Sequence, residues 1–318
     1  MEANLLKLDE LGHDDPTMIR MMEDMSEQLG ERVDAQQISL SDPDTMSIFT
    51  SPAVLGLPDD DPIIGKPGSI GIPEFGTPFT RQMLVDTQPK QFDTLIRLSG
   101  FSHGTDVWAG NIHDLIVNGI ANVNETVGCR DDIMLYLISV GIEPSLAFKT
   151  MEAVRKGKVK KSGEFPGDAE QQMRDRGVPD WYIESCRKIK YMFPKAHAVA
   201  YLMAAIRLMW FKVYHPAIFY AVYFTVRGAD IDYEAAVGGV RVAKEHLRDN
   251  EKIPKDERTA KDDDALVSLQ LVNEMLQRGC QFLPIELGKS YASKYVVEDG
   301  KVPVSYTHLR AHETSQDL

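Results

Sequence analysis

Cysteine is scarce in this chain: Cys129, Cys186 and Cys280 are its only three, far apart and without a CxxC pair. That excludes a disulfide framework and a thiolate zinc site, and it fits a reducing compartment. Long apolar stretches are equally rare. The longest, from Ala196 to Phe211, is short for a membrane span and contains Arg207. No signal peptide precedes the first polar residues, so a soluble, cytoplasmic protein without membrane contact is expected. Alternating apolar and polar residues, the mark of half-buried strands, are nearly absent, and no internal repeat is found.

What is present is charge, unevenly spread. The 318 residues carry a net charge of −13, which by itself argues against a nucleic-acid binder. From Lys149 to His215, however, there are 14 Lys and Arg against 7 Asp and Glu, a net of +7, leaving −20 for the remainder. A basic block in an acidic chain is either a solvated face or a local field that meets an anion. Helical punctuation fills the rest of the sequence. "HDDPTMIRMMEDMSEQLG" offers an Asp cap, Pro16 in the first turn, an apolar side of Ile19, Met22, Met25 and Leu29, and Gly30 as a stop. "SDPDTMSIF" and "GTPFTRQML" open in the same way. Further helices are predicted near 91–99, 107–117, 131–140, 144–156, 168–176, 180–191, 196–214, 216–226, 232–250 and 263–278. A mobile loop, "KGKVKKSGEFPGD", interrupts them. β-Structure is confined to a short strand in "NLLKLDELG" and a hairpin in "KYVVEDGKVPV", turning on Asp299-Gly300.

The run "KIKYMFPKAHAVAYLMAAIRLMW" concentrates the question. An apolar helix opens on Lys188, Lys190, Lys195 and His197, yet a helix N-terminus is already the positive end of the macrodipole. Cations there are unfavourable unless an anion sits opposite. Lys195 supplies a point charge for a triphosphate, His197 a hydrogen-bond donor, and Tyr201, four residues on, a plane for base stacking. Taken singly, each has a bland alternative: a half-buried histidine, or an aromatic in ordinary packing. Weaker signals lie elsewhere. Arg81 falls near the start of a helix opened by Thr77-Pro78, His103 in a Gly-Ser-His loop, and Arg130 just ahead of a helix that Asp131 or Asp132 would cap. Asp9, close to the end of a strand, suits a metal ligand in a phosphoryl-transfer enzyme, though capping is the ordinary reading.

The blocks "LLKLDELGHDDPTMIRMM", "GIPEFGTPFTRQML", "SGFSHGTDVWAGN", "GCRDDIMLYLI" and "VPDWYIESCRKIKYMFPKAHAVAY" occur in this order, followed by "FKVYHPAIFYAVYFTVR". Together they resemble the PolC-type alpha subunits of bacterial DNA polymerase III, over roughly residues 3–304. The resemblance implies a mainly α fold: a helical fingers domain with a short palm strand at the N-terminus and a β-hairpin near the C-terminus. Residues 1–15 would be the end of the palm, 16–288 the fingers, and 289–304 the start of a clamp- and DNA-binding domain. Residues 305–318, with His308 and His312, read as a non-native tail resembling translated adapter sequence. The chain is thus expected to be an inactive fragment of a replicative DNA-directed DNA polymerase.

The family's two Mg²⁺ ions are held by three palm aspartates, the third of which maps onto Asp9. Implied partners are template-primer DNA, dNTP, a sliding clamp and other replisome subunits. The resemblance carries dNTP binding to Lys195, His197, Arg130, Arg81 and His103, base stacking to Tyr201, and DNA phosphate contacts to Lys188 and Lys190. Two departures are visible: Glu10 stands where the family is usually apolar, and the loop around 159–168 is longer than usual. A free-standing helical nucleic-acid-binding module without catalysis is the alternative.

Overall fold

The computed structural model describes residues 12–228, 231–254, 256–286, 290–291 and 294–303. The segment expected to be a palm strand with Asp9, and the tail with its histidines, lie outside the described residues. Fourteen α-helices and two two-residue strands are found among those described, so the expected mainly α architecture holds.

Local chemistry explains most helix starts. α1 (Asp15–Gln28), α2 (Pro43–Ser47) and α3 (Pro78–Thr87) each carry proline in the first turn, where its missing N–H costs nothing. Thr77 caps α3 by accepting from the Thr80 N–H. α4 (Phe92–His103) follows, then α5 (His113–Val117) after an irregular turn at 108–112 in which Gly110 takes positive φ. α6 (Arg130–Ser139) and α7 (Pro144–Arg155) pack as a pair. Glu143 caps α7 through the Leu146 N–H at 3.0 Å.

The stretch read as a mobile loop instead holds a short helix, α8 (Lys158–Ser162), bounded by left-handed Gly157 and Gly163. Buried Val159 and Phe165 pin it down, and the Arg187 guanidinium lies 5.0 Å above the Phe165 ring. α9 (Ala169–Asp175) and α10 (Asp180–Lys188) lead to α11 (Lys195–Tyr214). α11 is the one helix among the described residues long and apolar enough to cross a membrane. Here it packs against α1, α2, α4 and α6 and against α12 (Pro216–Arg227). α13 (Tyr233–Glu251) and α14 (Ala260–Gln277) form a second pair; Asp232 caps one, and Thr259 with Asp262 the other.

The C-terminal hairpin is only a turn. Asp299 and Gly300 both take positive φ, and Glu298 and Lys301 exchange backbone hydrogen bonds at 2.9 and 2.8 Å. Beyond that bridge, β2 (Val302–Pro303) leaves to pair in parallel with β1 (Phe282–Leu283). Leu283 opposite Pro303 ends the ladder, because proline brings no N–H.

Candidate active-site face at the start of the long helix

The cationic opening of α11 is met from within the chain. Pro194 precedes the helix, and the Lys195 N–H donates to Asp131 Oδ2 at 2.8 Å. In return the Arg130 N–H, at the start of α6, donates to the Phe193 carbonyl at 3.0 Å. Two helix N-termini are thereby clasped together. Asp132 was a candidate cap and performs half of that duty. Its Oδ2 accepts from the Gly128 and Cys129 N–H groups at 3.1 and 2.9 Å, while Cys129, not an aspartate, is the residue before the helix. Asp132 Oδ1 also takes Lys195 Nζ at 3.3 Å, with Asp93 Oδ1 at 3.7 Å. Three aspartates thus supply the anion that the sequence calls for.

Two residues apart on a helix, Lys195 and His197 point to different sides. His197 enters a line of rings. Its centroid is 4.1 Å from stacked Tyr201 and 4.5 Å from Phe193, which meets it edge-on. Phe193 in turn stacks on His103 at 4.8 Å, and Tyr201 meets His13 at 4.6 Å. Carboxylates anchor both ends. Glu74 accepts from His103 Nε2 and from Ser99 Oγ at 3.1 Å. Fully buried Asp15 lies 2.9 Å from His13 Nδ1 and accepts from Arg227 at 2.9 Å.

The electrostatics follow from burial and neighbours. Burial works against the Glu74 carboxylate, yet the His103 hydrogen bond and charge hold it below its usual range. Asp15 goes the other way: burial raises it in spite of Arg227 and His13. His197 is pushed down by burial and then by His103, which keeps its ring neutral near pH 7. Beside the Glu74–His103 end opens a cleft of about 680 Å³, lined by the 71–80 loop, Tyr223, Arg227 and α14.

The remaining candidates are dispersed. Arg130 sits at the clasp with its Nε lacking any hydrogen-bond acceptor, 3.7 Å from Asp131. Arg81 turns inward: its guanidinium donates to the Ile64 and Pro67 carbonyls, and burial lowers its pKa. It therefore stands apart from the ring line. Lys188 Nζ donates to the Gly110 carbonyl at 3.0 Å, while Lys190 is exposed.

Four participants escaped the sequence reading: Phe193, Glu74, His13 and buried Lys212. Lys212 Nζ donates to the Gly68 and Ile70 carbonyls at 2.8 and 2.7 Å and pairs with Glu274 at 2.8 Å. Tyr220 donates to the same carboxylate at 2.6 Å. This network grips the base of the loop that carries Glu74. Burial brings the Lys212 ammonium down to about 8 despite Glu274. Among the described residues no group of three or more His, Cys, Asp or Glu is disposed to hold a metal ion.

A mainly helical body, with basic and aromatic groups gathered where two helices begin, is the class of fold expected of a polymerase fingers domain. The chain belongs to the family described as the bacterial DNA polymerase III alpha subunit finger domain, whose model matches residues 15–177. Its relatives include the proteins named DNA polymerase III PolC-type from three bacteria. That of Staphylococcus epidermidis is 48% identical over 295 residues, 93% of this chain and 20% of the relative. That of Staphylococcus saprophyticus is 50% identical over 295 residues, with the same coverage. That of Caldanaerobacter subterraneus is 48% identical over 305 residues, 95% of this chain and 21% of the relative. The chain spans about a fifth of the length of these relatives.

Proposed function

We propose that the chain works as the fingers of a replicative DNA-directed DNA polymerase, closing over the incoming dNTP and the template-primer. The observation that carries this reading is the clasp at the start of α11. There the Arg130 N–H holds the Phe193 carbonyl while its Nε, 3.7 Å from Asp131, has no hydrogen-bond acceptor, and the His197 ring meets Phe193 edge-on. A triphosphate reaching this point meets a guanidinium suited to paired phosphate oxygens and an imidazole able to donate. Lys195 contributes by moving from Asp132 and Asp93 toward the phosphates, an exchange of one anion for another. His103 lies further along the same line, and Tyr201 offers a ring face to a base. Lys188 and Lys190 serve DNA phosphates. Arg81 acts indirectly, by holding the carbonyls of the 64–67 segment.

These side chains would stabilise charge and fix position, the two demands of nucleotidyl transfer. Divalent metal, which polymerases of this class use as two Mg²⁺ ions, does not fit any carboxylate cluster among the described residues. Asp9 is the ligand proposed within this chain, and the fold described here is assigned no metal-dependent step. The clamp and the other replisome subunits are assigned to parts of the parent protein beyond these helices, and the cytoplasm as the place of work follows from replication.

The test is a chimera. Residues 12–303 of this chain replace the matching segment of a full-length PolC-type polymerase, and primer extension is measured. Extension at a rate comparable with the parent is expected. Lys195→Ala in that chimera should weaken dNTP incorporation by about 1–3 kcal/mol of transition-state binding, the scale of one charged contact. A folded chimera that binds primed DNA but never extends it would favour the non-catalytic module instead.

A further inference from the structure

The basic block holds more than the four cations at the opening of α11. α8 packs on α10, and a Cβ on Gly157, just before α8, would come within 2.5 Å of the carbonyl of Lys190, two residues past the end of α10. This approach sets Lys158 and Lys161, one helical turn apart, beside Lys190. All three are exposed, and among the described residues none has a carboxylate partner. Their neighbours do: Arg155 and Lys156 pair with Glu152, Lys160 with Asp106, and Arg187 with Glu170. Those acids are therefore already used, and Glu164, just past α8, pairs with none of the three lysines.

A solvated lysine face would need nothing more, but this one has an aromatic group among its cations. Tyr191 is 41% exposed and held by backbone hydrogen bonds to Thr105, and the next residue, Met192, donates its N–H to the Arg155 carbonyl at 3.2 Å. Its ring centroid is 6.3 Å from Phe193, a member of the ring line next to His103. A lysine track with an accessible ring is the arrangement that holds an unpaired strand: the cations follow the phosphates and the ring stacks on a base.

We infer that Lys158, Lys161, Lys190 and Tyr191 form a docking surface for single-stranded DNA, which delivers unpaired template toward the ring line at α11. The inference rests on the polymerase reading for the word template, but not for the binding itself.

The probe is fluorescein-labelled oligo(dT) of about 20 nucleotides, titrated with the whole chain by anisotropy at several salt concentrations. The wild type should bind. The triple variant Lys158→Glu, Lys161→Glu, Lys190→Glu should bind at least ten-fold more weakly, with the salt slope reduced by roughly 2, since each phosphate contact on a single strand accounts for about 0.7. Tyr191→Ala should weaken binding several-fold and leave the slope unchanged. Lys252→Glu, the same charge reversal at one exposed lysine just past the end of α13, should alter neither. The inference is overturned if the wild type does not bind, or if the folded triple variant keeps its affinity and slope. It is also overturned if a blunt duplex competes better than the single strand. Each of these results would leave chimera extension unaffected as the separate test of the polymerase reading.

Discussion

His197 shows how one side chain can be set by its surroundings. Burial and His103 keep the imidazole below its ordinary 6.5, so it meets a ligand as a neutral donor. In the free chain its ring resonances should titrate below that value, and dATP should move the midpoint upward by favouring the imidazolium. A midpoint that dATP leaves unmoved would take His197 off the phosphate path. Glu74 gives the opposite sign. Its carboxylate is held low in the folded state, so its contribution is present above the ordinary carboxylate range and is lost as pH falls through the folded value. Urea melts between about pH 3 and pH 6 should show the wild type losing stability on acidification more steeply than Glu74→Gln. The left-handed backbone at Glu74, φ 68°, is a further cost that the His103 and Ser99 contacts must offset.

At the scale of elements, the Lys212–Glu274 pair joins α11 to α14 and both to the 68–76 loop. Lys212→Met leaves a carboxylate buried without its cation and should cost about 3–5 kcal/mol in denaturant melts. Adding Glu274→Met should recover part of that loss, but not all of it, because the Gly68 and Ile70 carbonyls still lack donors. Gly157 is the other critical joint. Gly157→Ala combines left-handed backbone at φ 64° with a Cβ against the Lys190 carbonyl, and a loss of about 1–3 kcal/mol is expected in the same melts.

These elements also show what could be read in advance. The starts of α1, α3, α7 and α12 are legible because prolines and capping side chains act within four residues. α8 was missed because Val159 and Phe165 are held by distant elements, and no local pattern reports that. The same distance hid the partners of Lys195. Asp132 is 63 residues away along the chain, so a sequence shows the cation and leaves its counter-charge unseen. Lys212 passed unnoticed in an apolar run, since composition cannot tell a snorkelling lysine from a buried one. The positive mouth of α11 was legible as a need for negative charge. That the protein itself meets much of this need became clear only from the fold.

For the whole molecule, the match to the finger-domain family ends at residue 177, while the network gripping the 68–76 loop runs through Lys212, Tyr220 and Glu274. The piece that must be produced to study these fingers is accordingly longer than the piece the family comparison outlines. A protein trimmed after Gly177 would deprive the Gly68 and Ile70 carbonyls of their ammonium donor and uncover the apolar backs of α1 and α4. It should give a collapsed, dye-binding species with a shallow melt, whereas residues 12–303 should melt in one sharp step.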